Sequence, residues 1–100
     1  MKIVFRKSCD ADLKWFRTYY ASVFPEGAIR AKTHFASTYK ALSGHPFIGH
    51  PVEGVPHIRE FHIPQTPFSL IYIVTEIEIL VLRLLDNRAE RPQVFPSPTP

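Results

Sequence analysis

Residues 68–85, FSLIYIVTEIEILVLRLL, decide the fold of this 100-residue chain. They are mostly β-branched, aromatic or leucine residues, and a turn near Glu76 separates two predicted strands. Both strands carry apolar side chains on both faces, whereas a strand with one face in water alternates apolar and polar residues. The second face is therefore expected to be covered by the long loop of this chain or by a partner protein. The candidates for a partner contact are Ile71, Ile73, Leu80, Leu82 and Leu84.

The elements before this stretch complete an α+β pattern. Two amphipathic helices are predicted, at residues 9–22 and from Ile29 to Leu42, and their short connection favours an antiparallel hairpin. Residues 44–56 hold three Gly and three Pro, so no regular element is expected there. The order β-αα-βββ predicts an N-terminal helical hairpin packed on a mainly antiparallel four-stranded sheet. The strands are predicted at residues 2–6, 57–63, 68–75 and 77–85.

Length and composition restrict the class of protein. One hundred residues make a single domain, predicted at residues 1–90, with a Pro-rich extended tail at residues 91–100. The formal net charge is +3, and residues 1–40 hold eight Lys or Arg against three acids, which suits an acidic protein or nucleic acid as partner. The single cysteine excludes a disulfide framework, and no signal peptide or uncharged apolar span is evident. A cytoplasmic protein without a membrane segment is expected.

The sequence offers few residues for catalysis. It has no Gly-rich phosphate loop, no paired catalytic carboxylates and no nucleophilic serine elbow. Cys9 is expected to be a small buried side chain rather than a reactive thiolate. Four histidines are spaced five, seven and five residues apart, which does not suit two ligands on one helix face, so neither a metal nor a cofactor is expected. These histidines are His45, His50, His57 and His62.

Arginines near the end of the chain are the remaining candidates. Arg83 interrupts an apolar strand, and a guanidinium among leucines is costly unless it is paired or faces a ligand. Two interpretations stay open for it: an ion pair with Glu60 or Asp86, or contact with a phosphate or carboxylate of a target.

Four segments, together with the β-αα-βββ order, carry a family resemblance. They are residues 42–49 (LSGHPFIG), 58–61 (IREF), 68–72 (FSLIY) and 79–88 (ILVLRLLDNR). In this arrangement residues 2–91 resemble the RelE/ParE family of bacterial toxins. The resemblance implies a toxin of a type II toxin–antitoxin pair, wrapped and neutralised by a small antitoxin that would contact the apolar sheet residues named above. Operator DNA would be met only indirectly, through the antitoxin.

The two branches of that family imply different targets. RelE-like members cleave mRNA in the ribosomal A site, whereas ParE-like members poison DNA gyrase without a nuclease site. RelE-like nucleases carry an arginine where this chain has Ser69, and they carry a Tyr or His where it has Val94-Phe95-Pro96. Arg88 matches a nuclease arginine, but one arginine cannot be both base and charge clamp. The departures favour the ParE-like branch, although Asp86 stands where ParE-like members often have a histidine.

The site predictions follow from these branches. A gyrase-directed toxin would use target-contact residues Arg83, Arg88 and Arg91 and would not be an enzyme. An mRNA endonuclease, the alternative, would have His62 and Arg88 as its catalytic candidates. A third hypothesis is a domain that binds a partner and has lost its toxicity.

Overall fold

The structure, a computed structural model, describes residues 1–89, so Arg91 and the tail predicted at residues 91–100 lie outside the described residues. The strands are β1 (Lys2–Phe5), β2 (His50–Val52), β3 (Val55–His62), β4 (Phe68–Val74) and β5 (Glu78–Asp86). The helices are α1 (Asp10–Thr18) and α2 (Ala28–Gly44). Within residues 1–89, no helix has the length and apolar character needed to cross a membrane.

The helical hairpin is less regular than the sequence predicts. A 3₁₀ turn, Lys7–Cys9, leads into α1, and a π-helical turn, Tyr19–Val23, follows it, in which the Phe24 N–H donates to the Tyr19 carbonyl at 2.8 Å. The predicted helix over residues 9–22 is therefore α-helical only as far as Thr18. A second 3₁₀ turn, Pro25–Gly27, begins with proline, which is favoured in the first turn of a helix, and passes directly into α2.

The sheet has five strands in the order β1-β5-β4-β3-β2, one more than the sequence predicts. The strand β1 is parallel to β5, and the other pairs are antiparallel. The unpredicted strand, β2, contains Pro51, which lies opposite Arg59. Because β2 is an edge strand, a residue without an N–H is tolerated there. The tight turn before β3 uses Gly54 at φ +84°, a backbone conformation that favours glycine.

The main core lies between the hairpin and the sheet. Phe68 in β4 is fully buried, and its ring centroid is 4.9 Å from that of Phe16, 5.9 Å from that of Tyr19 and 6.2 Å from that of Tyr20. Leu70 and Tyr72 point to the same side, as the alternation in β4 predicts. Aromatic side chains from α1, the π-helical turn and β4 therefore hold the two layers together.

A β-bulge in β5 changes the face of the sheet on which one predicted contact residue lies. Ile71 pairs with Arg83 while Tyr72 pairs with Val81, so Leu82 is an extra residue that shifts the alternation. Leu84 consequently points into the helix-side core, where only 1% of it is exposed. The prediction that Leu84 shares the outer face with Leu82 is wrong for this reason.

The outer face of the sheet carries a second, smaller apolar cluster. Ile58, Ile71 and Leu85 are its buried members. The partly buried residues packed against them are Val52, Val55, Ile73 and Leu82. Of the predicted contact residues, Ile71 is only 1% exposed, whereas Ile73, Leu80 and Leu82 are partly buried.

Candidate functional site

Asp86, at the end of β5, accepts hydrogen bonds from two side chains, and a third side chain packs on one of them. Arg88 donates from Nε to Oδ1 at 3.0 Å and from Nη2 to Oδ2 at 2.7 Å. The Trp15 indole N–H donates to Oδ2 at 3.0 Å. Arg88 also donates from Nη1 to the Tyr19 hydroxyl at 2.7 Å, with its Cζ 4.2 Å from the centre of the Tyr19 ring. A bidentate ion pair and a cation–π contact thus fix Arg88, the first arginine after the sheet.

These bonds determine the charge state of the pair. The hydrogen bond from Arg88 is the main reason that the pKa of Asp86 is lowered to about 2, and the Trp15 bond acts in the same direction. The bond to Asp86 raises the pKa of the Arg88 guanidinium. Both groups are charged at neutral pH, and a target anion must compete with Asp86 for the guanidinium. The Arg88 side chain is nevertheless 48% exposed, and its contact with a target stays a prediction.

Arg83 is paired with Asp12, an acid that the sequence does not suggest. Its Nε and Nη2 donate to the Asp12 carboxylate at 2.7 and 2.8 Å, and the Leu84 N–H donates to the same carboxylate at 3.0 Å. The bond to Asp12 raises the pKa of the Arg83 guanidinium. The strand β1 ends at Phe5, so the start of α1 covers the remaining edge of β5. Asp86 pairs with Arg88 instead, so the predicted ion pair between Arg83 and Asp86 is wrong.

The two residues predicted for catalysis have separate surroundings. His62 ends β3, and its Nε2 lies 2.6 Å from the Thr66 carbonyl oxygen. Arg88, by contrast, packs on a tyrosine of the helical hairpin. Ser69, opposite His62 in the sheet, is fully buried and accepts a hydrogen bond from Asn87 Nδ2 at 2.8 Å. The position at which RelE-like nucleases carry an arginine therefore holds a small buried hydroxyl.

Cys9 and the possible metal ligands are the remaining candidates for chemistry in the described part of the chain. Cys9 is fully buried, its thiol donates to the Val81 carbonyl at 3.3 Å, and burial raises its pKa to about 11. The thiol is thus protonated at neutral pH, as the sequence predicts for a small core residue. Among residues 1–89, no three His, Cys, Asp or Glu side chains lie close enough together to hold a metal ion.

An apolar groove runs between the two helices, and the sequence does not reveal it. Its volume is about 620 Å³. Large apolar side chains and three alanines line it, together with two exposed cations, Arg17 and Lys32. The other residues that line it are Leu13, Phe16, Tyr20, Ala21, Ala28, Phe35 and Ala36. The only sequence signal is the placement of small residues, with Ala28 and Ala36 in α2 and Ala21 in the π-helical turn after α1.

Comparison with known proteins gives the family. A family model described as the ParE toxin of the type II toxin-antitoxin system, parDE, matches residues 3–91. The chain belongs to the ParE toxin family. The chain is also similar to a solved chain of the chromosomal ParDE TA system from P. aeruginosa, with 27% identity and a TM-score of 0.63. That alignment covers 84% of this chain and 92% of the solved chain. No curated protein matches.

Membership of the ParE family confirms the resemblance and the α+β fold that the sequence predicts. Toxins of type II systems are paired with an antitoxin, so this ParE-family chain has an antitoxin as its partner. The family match includes β5 and the arginines that follow it, and it includes the helices that form the groove. The cluster around Asp86 and Arg88 and the groove therefore both lie within the residues that the family model matches.

Proposed function

We propose that this ParE-family toxin arrests growth in the cytoplasm by binding and inhibiting DNA gyrase, without cutting RNA. The proposal rests on two positions at which RelE-like nucleases carry an arginine. Ser69 is buried where those nucleases carry an arginine, and Arg88 is held by Asp86 and Tyr19. In-line cleavage of RNA requires a base near the attacking hydroxyl and a cationic clamp on the scissile phosphate. A toxin built in this way acts by occupying its target.

A gyrase assay tests the proposal. The full-length toxin is expected to inhibit supercoiling by purified gyrase in a dose-dependent way, and the antitoxin encoded by the neighbouring reading frame is expected to relieve the inhibition. Translating ribosomes with a defined mRNA form the matched control, in which the message is expected to remain intact. Codon-specific cleavage of that message, with gyrase unaffected, would favour the endonuclease and contradict the proposal. Harmless expression without antitoxin would favour the non-toxic domain.

We further propose that the antitoxin places an amphipathic helix in the groove between α1 and α2. The lining is mainly apolar, and its two charged members, Arg17 and Lys32, are both cations. The helix α2 contains no acidic residue. A helix with an apolar stripe flanked by acids is complementary to such a surface. On the outer sheet face, Ile73, Leu80 and Leu82 stay candidate contacts for another part of the same antitoxin.

Filling the groove is expected to weaken antitoxin binding. Ala36 lines the groove and is exposed, so Ala36→Trp adds an indole without disturbing the core. We expect the Kd for the antitoxin to rise at least tenfold, which corresponds to about 1.4 kcal/mol. Ser37→Trp is the control, because Ser37 is also exposed but does not line the groove. Calorimetric titration that gives the same Kd for both variants would leave the sheet face as the docking surface.

A further inference from the structure

The loop between α2 and β2 displays two large apolar side chains in succession. Phe47 is 65% exposed and Ile48 is 43% exposed. Neither side chain belongs to the two apolar clusters of the fold. The toxin's groove is elsewhere, since its lining along α2 ends at Ala36. We refer to residues 45–49 as the Phe47 loop.

The backbone of the Phe47 loop is tied to the sheet beneath it. Arg59 Nη1 donates to the carbonyl oxygens of Phe47 and Gly49 at 3.2 and 2.6 Å, and its Cζ lies 5.0 Å from the centre of the Phe47 ring. The Gly49 N–H donates to the hydroxyl of the fully buried Tyr72 at 2.9 Å. A large aromatic side chain is therefore held out on a fixed support. Such preorganisation lowers the entropic cost of binding.

We propose that Phe47 is an anchor that inserts into an apolar pocket of DNA gyrase. The inference rests on the proposed function and adds the surface with which the toxin meets its target. Aromatic side chains that enter pockets supply much of the free energy at protein interfaces. Ile48 beside it extends the apolar contact.

The lack of Lys and Arg in the segment around the loop favours a protein pocket over a nucleic acid or a lipid surface as its binding partner. Residues 41–58 contain no Lys or Arg, so this segment is not suited to a phosphate backbone or an anionic lipid surface. Arg59, the next cation along the chain, is committed to two backbone carbonyls. The groove proposed for the antitoxin ends eight residues before Gly44, about 12 Å along the axis of α2. The Phe47 loop is thus a separate surface from the groove.

The test compares four full-length toxins: wild type, Phe47→Ala, Phe47→Trp and Ile77→Ala. Ile77 is the matched control, because it is 78% exposed in the turn between β4 and β5. Each toxin is titrated into a gyrase supercoiling assay and, separately, into its antitoxin. We expect Phe47→Ala to raise the half-inhibitory concentration at least about 30-fold, Phe47→Trp to stay within about threefold of wild type, and Ile77→Ala to match wild type. Antitoxin affinity should be the same for all four.

The outcomes separate this inference from the function on which it rests. Wild-type toxin that leaves gyrase active overturns both. Wild-type inhibition that Phe47→Ala retains in full overturns the anchor alone. A loss of antitoxin affinity in Phe47→Ala, with gyrase inhibition retained, assigns the loop to the antitoxin and also overturns the inference. Circular dichroism of each variant distinguishes lost binding from lost folding.

Discussion

Replacing Asp12 with alanine is expected to lower the free energy of unfolding by about 3 kcal/mol, the lower end of the range for breaking a buried ion pair. The carboxylate accepts hydrogen bonds from two nitrogens of Arg83 and from the Leu84 N–H. The Asp12 side chain is 11% exposed and that of Arg83 is 27% exposed, so water replaces these bonds only in part. For a domain of this size the melting temperature should fall by roughly 12–24 °C. Urea denaturation measures the difference directly.

Three further variants show whether the ion pair causes the loss. Asp10→Ala removes an exposed acid from the same helical turn and should cost only about 0.5 kcal/mol through the helix dipole. Asp12→Asn keeps an acceptor without the charge and should fall between the two. The double variant Asp12→Ala/Arg83→Met should recover part of the stability, because no unpaired charge remains in the sheet edge. Equal stabilities for Asp12→Ala and Asp10→Ala would contradict the account.

The Asp12 contact also connects stability with the proposed surfaces. It fixes the start of α1 against β5, and the same helix supplies Leu13 and Phe16 to the groove and Trp15 to the carboxylate of Asp86. A shift of α1 would therefore alter both the groove and the arginine cluster. Arg83 itself is neutralised by this pair, so its proposed target contact needs the carboxylate to be shared or displaced.

The parts of the fold that depend on local periodicity are those that the sequence predicts correctly. The hairpin and the strands β1, β3, β4 and β5 each have an apolar repeat that matches one secondary structure. The sequence does not reveal the strand β2, because Pro51 and two nearby glycines are turn signals. Only the position of β2 at the edge of the sheet makes a strand with proline tolerable. The bulge at Leu82 has no local sequence signal, so the face that the sequence predicts for Leu84 is wrong.

The candidate site depended more on contacts between distant parts of the chain. Asp12 and Arg83 are separated by 71 residues, and a pattern in one segment does not indicate which acid in another will face it. The sequence places Trp15 and Tyr19 only within the helix predicted at residues 9–22, although both contribute to the cluster around Asp86 and Arg88. The groove was missed for the same reason, because its alanines matter only once the two helices face each other.

Gly49→Ala is the second substitution from which we expect a large effect, a loss of about 2–3 kcal/mol of stability from overpacking. A Cβ at Gly49 would lie 2.6 Å from the Tyr72 hydroxyl and 2.7 Å from the Glu60 carbonyl oxygen. Tyr72 is fully buried, and the Glu60 carbonyl belongs to the backbone of β3. Neither the hydroxyl oxygen nor the carbonyl oxygen can therefore move away easily. The requirement for glycine here is one of space, and the loop must separate from the sheet to admit a methyl group.

Gly44→Ala is the natural control, because it adds the same methyl group five residues earlier, at the last residue of α2, where the new Cβ would have no atom within 4 Å apart from its chain neighbours and the backbone of its own helix. That change should stabilise the protein by about 0.4–1 kcal/mol, since alanine has less backbone entropy to lose on folding than glycine. The opposite signs of the two glycine substitutions can be measured in one series of urea denaturation curves. Adding Tyr72→Phe to Gly49→Ala should cost less than the sum of the single changes, because the hydroxyl that clashes with the new methyl group is gone. Strict additivity would show that contact with the hydroxyl does not determine the cost, and would leave the Glu60 carbonyl as its cause.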